Sequence, residues 1–66
     1  MFVKAYNQDC FYNTDFIRYV TIEKHSGFNH PYLVIAFILI GTCLQSVVIG
    51  EFDHHDEALE YIQTLS

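Results

Sequence analysis

Residues 31–50, "PYLVIAFILIGTCLQSVVIG", form an almost unbroken apolar run, about as long as the ~19-residue window that marks a membrane span. Polar and apolar positions do not alternate within it. Leu33, Ile35, Phe37 and Leu39 occupy one parity, Val34, Ala36, Ile38 and Ile40 the other, and all are apolar. Two structures fit such a pattern: a single transmembrane helix over 32–50, or strands buried on both faces. Seven Val and Ile residues, a Gly41-Thr42 break in the middle, and Gln45 and Ser46 at membrane depth favour strands. The pattern therefore predicts a hairpin, with strands over 32–40 and 44–52 and a turn over 41–43.

The flanking segments fit a sheet. Residues 2–6 are short and rich in β-formers, which predicts a first strand. Residues 7–15, "NQDCFYNTD", have the Asn, Asp and Thr content of a loop. Residues 16–24, "FIRYVTIEK", show partial period-2 alternation among aromatic and β-branched residues, the mark of a half-buried strand. Gly27, Asn29 and Pro31 then punctuate a turn. In "FDHHDEALEYIQTLS", Ala58, Ile62 and Leu65 recur at helical spacing, which predicts an amphipathic helix over 54–65. Asp53 is the expected N-cap, with Asp56 three residues on as its reciprocal acid.

The elements assemble into an α+β fold in one domain, 1–66: a small antiparallel sheet of three to four strands with the helix on one face. One helix covers one face, yet both faces of 32–40 are apolar. Each fully buried Leu, Ile or Phe contributes about 1.5–3 kcal/mol, so a bare face forgoes several kcal/mol. Sixty-six residues also give a core of marginal size. Both points lead to the same expectation: the second face is covered by another subunit, most simply in a homodimer, or by a different protein. The expected interaction face is Tyr32, Val34, Ile38, Ile40, Val47 and Ile49.

Charge narrows the function classes. Lys4, Arg18 and Lys24 are the basic residues against eight acidic ones, a formal net charge of −5. That lacks the clustered cations that track phosphates, so nucleic acid is not the expected partner. The acidic balance also fits an inhibitor that occupies a basic site on another protein. Two cysteines, Cys10 and Cys43, are too few for a disulfide framework and are expected as free thiols, Cys43 in the core. "MFVKAYNQDC" has no apolar run after a basic start, so no secretory leader is expected and the cytoplasm is the expected compartment.

No constellation suggests catalysis, a metal or a cofactor. "DHHDE" at 53–57 places His54 and His55 next to each other, about 100° apart on a helix, so they do not converge on one ion. His25 and His30 lie in a separate loop. Cys10 has no base or oxyanion hole at a traceable spacing. Tyr6, Tyr12, Tyr19, Tyr32 and Tyr61 fit partly buried strand and helix positions better than a recognition surface.

The stretch "VVIGEFDHHDEALEY" ends a strand in Gly50-x-Phe52-Asp53 and places Glu57-Ala58 in the following helix. It resembles the close of AP2-type domains and of phage-integrase arm-binding domains. It is also similar to the ending of short bacterial and phage proteins built as strands followed by a helix. The resemblance implies a three-stranded sheet packed on a C-terminal helix, with the sheet as the DNA-reading surface. Here the strands supply Arg18 and Lys24 and otherwise Val, Ile, Tyr and Phe, which sets the charge against that function. The sequence thus points to a non-enzymatic association module.

Overall fold

The computed structural model describes residues 1–65, and within them the chain forms five strands and a C-terminal helix. The strands are β1 (Phe2–Lys4), β2 (Phe11–Asn13), β3 (Ile17–Lys24), β4 (Tyr32–Ile40) and β5 (Cys43–Phe52); helix α1 is His55–Thr64. A 3₁₀ turn at Thr14–Phe16 leads from β2 into β3. β3, β4 and β5 form an antiparallel meander, and β1 and β2 pair as a separate antiparallel sheet. The fold is the expected α+β. Residues 32–50 are the two strands of a hairpin, which overturns the single-span alternative. No helix among the described residues is long and apolar enough to cross a membrane.

The hairpin turn is shorter than expected. Ile40 pairs with Cys43, so Gly41 and Thr42 alone make the loop. Gly41 has φ +63°, while Thr42 does not enter the positive-φ region. That is the pattern of a type II′ turn, whose twist matches the flanking strands and which places Gly first.

Register sorts the side chains into two faces. Ile22, Val34 and Gly50 form one row; Val20, Ala36 and Val47 the next; Ile17, Ile38 and Gln45 the third. This is the inner face, under α1. Val34, Ala36 and Ala58 are fully buried in one cluster with Ile38 and Ile49, and Tyr61, Ile62 and Leu65 of the helix side pack against it. Ala36 and Ala58 are the small residues that let helix and central strand approach.

Two bulges interrupt the register. In β3 the register shifts between Ile17 and Tyr19, with Arg18 as the extra residue. In β5 Val48 opposes Ile35 and Gly50 opposes Val34, with Ile49 as the extra residue. The second bulge puts buried Ile49 in the core and follows it with a residue lacking a side chain. A Cβ on Gly50 would lie 2.8 Å from the Phe52 ring and 3.4 Å from that of Tyr61. Glycine therefore makes room for the Phe52–Tyr61 aromatic pair, whose centroids are 5.4 Å apart.

Three local expectations are corrected. The segment 7–15 is not wholly loop: Phe11 and Tyr12, both β-formers, pair with Lys4 and Val3. The first strand consequently ends at Lys4. The chain turns through Asn7 at φ 60°, tied by Ala5 N–H to Cys10 O at 2.8 Å. It joins the larger sheet through the Tyr6 N–H, which donates to Val48 O at 2.9 Å, and through buried Val3 and half-buried Tyr12, which pack in the core. At α1 the N-cap is His54, not Asp53, and no side chain makes a cap bond. Asp53 is engaged elsewhere, its Oδ1 lying 2.6 Å from His30 Nδ1. Cys43 is exposed rather than buried. A ten-residue helix reaches about 15 Å, whereas the nine residues of β4 span about 30 Å. The turn end of the hairpin therefore overhangs the helix.

Candidate interaction surface

The outer face of the meander is built from the opposite parity. Its rows are Glu23–Leu33–Glu51, Thr21–Ile35–Val48 and Tyr19–Phe37–Ser46, followed by the pair Leu39–Leu44. No helix lies on it, because α1 follows β5 directly and crosses the inner side. Ile35, Phe37, Leu39 and Val48 are half-buried, and Tyr19 and Leu44 are 50% and 51% exposed. The Tyr19 and Phe37 rings stack, with centroids 4.5 Å apart and planes 17° from parallel. This cross-strand pair fixes two large apolar groups in place at little further entropic cost. Thr21 carries a buried Oγ1 that finds no hydrogen-bond partner among the described residues.

Charge is unequal along this face. Glu23 and Glu51 flank Leu33 at one end. Arg18, the extra residue of the β3 bulge and next to Tyr19 in sequence, is exposed. Of the three basic side chains, Lys4 lies 3.8 Å from Asp9 and Lys24 sits 5.7 Å from the Tyr32 ring centroid. Among the described residues Arg18 makes no ion pair. Glu23 Oε1 is 3.0 Å from His25 Nε2, which leaves its second oxygen free of that contact.

The expected interaction face is therefore corrected. Val34, Ile38 and Ile49 are core residues under the helix, and Val47 packs against them. Tyr32 lies on the same side, with the His55 ring edge-on to it at 5.9 Å. Ile40 is exposed, but on the inner side of the hairpin overhang. Because both parities of β4 are apolar, hydropathy alone does not say which side the helix takes. Ala36 was the available signal: a helix packs closest where the strand offers a small side chain, and Ala36 shares the even parity.

Among the described residues no three His, Cys, Asp or Glu side chains are grouped to hold a metal ion. His25 and His30 contact separate carboxylates, Glu23 and Asp53. A hydrogen bond with the Cys10 side chain, with burial second, pushes the Tyr12 phenol above the usual tyrosine value. Burial raises Tyr61, whose hydroxyl donates to Ile49 O at 3.3 Å. A groove of about 460 Å³ lies between the 5–8 turn and β5. The tyrosines and Glu51 are its titratable groups, beside the amides Asn7, Gln8 and Gln45.

Comparison of the chain with protein-family models, curated proteins and solved structures finds no match.

Proposed function

We propose that the protein is a non-catalytic association module that self-associates through the outer face of its sheet. The observation that carries this reading is the apolar row Ile35, Phe37 and Leu39, flanked by Tyr19, Leu44 and Val48 and not covered by α1, next to Leu33, which is already buried at the end where residues 5–8 and Phe28 border the face. Contiguous apolar patches on soluble chains mark interaction sites. Strands about 4.8 Å apart and 3.4 Å per residue give a flat footprint of about 14 by 24 Å per copy. Two such faces total about 670 Å², below the ~1,000 Å² of a stable specific interface, so the complex is weak and concentration-dependent. The two glutamates at one end of the face, with three basic residues against eight acidic in the chain, support a protein partner over a nucleic acid.

Two adjacent substitutions test this. Phe37 is on the outer face and Ile38, 2% exposed, is in the core. Sedimentation across a concentration series is expected to show a reversible dimer for the wild type and a folded monomer for Phe37→Glu. Ile38→Glu is expected to unfold the chain, with loss of the strand and helix signals in circular dichroism. A wild type that stays monomeric at high concentration would overturn the self-association.

A further inference from the structure

We propose that the free edge of β5 takes up a short extended peptide segment of another protein, one carrying a Lys or Arg, as an added strand bonded to Leu44 and Ser46. This stands apart from the self-association above, because it uses backbone groups at the sheet edge rather than side chains of the outer face. β5 is an edge strand, paired with β4 on one side only. Tyr6 N–H donates to Val48 O, so the Val48 carbonyl points to the open side. Backbone groups alternate in direction along an antiparallel strand, and the register with β4 is unbroken from Val48 to Cys43. Leu44 and Ser46 therefore turn their N–H and C=O to that same side. Among the described residues no other backbone group bonds them there, and both residues are exposed.

Three observations point to a peptide. The edge is unprotected: residues 43–48, "CLQSVV", carry neither charge nor proline. The opposite edge strand, β3, carries Arg18, Glu23, Lys24 and a bulge. A bare edge is a template for strand addition. Next, the groove of about 460 Å³ lies along this edge, between residues 45–48 and the 5–8 turn. Tyr6 and Phe28, both exposed, stand in its wall and offer ring surface to side chains of an added strand. Finally, Glu51 is the one carboxylate lining the groove, and among the described residues it makes no ion pair. It selects a basic side chain. A second copy fits the edge less well. Bonding Leu44 of one copy to Ser46 of the other would set Thr42 opposite Val48, where Tyr6 already lies. A lone segment can stop short of Tyr6.

The test is selection of a phage-displayed random heptapeptide library on the immobilised protein, followed by fluorescence anisotropy of the enriched peptides. They are expected to place β-branched residues around a Lys or Arg. N-methylation of backbone nitrogens at one parity is expected to weaken binding by about tenfold, and at the other parity by less than about twofold, because alternate residues of an added strand face the protein. Ser46→Pro removes an edge N–H that faces away from β4. It is expected to weaken binding by about tenfold, with circular dichroism showing the fold retained; Glu51→Gln is expected to weaken it about three- to tenfold. No enrichment, an acidic consensus, or N-methylation without parity would overturn the proposal. So would a folded Ser46→Pro that binds as well as the wild type. Dimerisation that Ser46→Pro abolishes and Phe37→Glu retains would overturn it too, by assigning the edge to a second copy. Should Ser46→Pro not fold, the N-methylation series decides alone, since it leaves the protein unaltered.

Discussion

Ala36 and Ala58 show how single residues decide this fold. Both are fully buried in the same cluster, and their small size determines which parity of β4 becomes core. Gly50 acts similarly, by leaving space that the Phe52 and Tyr61 rings occupy. Thr21 is the opposite case, a hydroxyl buried without a partner among the described residues. Such a group costs about 1–3 kcal/mol. Thr21→Val, which keeps the branched shape, is therefore expected to raise stability by about 1 kcal/mol in chemical denaturation of dilute, monomeric protein. Tyr61 ties stability to alkaline pH. Burial raises its pKa in the folded state above the usual value near 10. Its contribution is therefore complete below that pH, and is lost as pH rises through the folded value while the unfolded phenol ionises more readily. Tyr61→Phe is expected to lose less stability above pH 10 than the wild type does, as followed by thermal melts over an alkaline series.

At the scale of elements, most of the fold was legible in the sequence. The meander strands were readable from β-branched and aromatic content, and the helix from the spacing of Ala58, Ile62 and Leu65. Two features escaped. β2 is three residues long and lies inside a polar stretch, so no periodicity marks it. The helix cap was misplaced because Asp53 is a strong capping residue by type, yet its carboxylate is engaged by His30 across the sheet end. Tertiary contact overrode local preference. The cap position is thus held by His54, whose side chain makes no cap bond. His54→Asp is expected to stabilise the protein by about 0.5–1 kcal/mol, since a carboxylate there can accept from the first helical N–H groups. An unchanged denaturation midpoint would count against His54 as the cap.

At the scale of the molecule, the chain makes more apolar sheet surface than its one helix can cover. The sequence already implied this, because both parities of 32–40 are apolar, but parity alone could not say which side would be left open. Helix length sets the remainder: ten residues of α1 end short of the β4–β5 turn, so Ile40, on the helix side, stays exposed as well. On the proposed reading, the association surface is a consequence of topology, and no separate binding loop is needed to supply it. The measurement closest to this claim is sedimentation equilibrium of the wild type and Phe37→Glu over a wide concentration range. A wild type that moves from monomer to dimer with concentration, beside a folded Phe37→Glu that remains monomeric, is the expected result. A wild type that is monomeric throughout, or a Phe37→Glu that dimerises as well as the wild type, would contradict it.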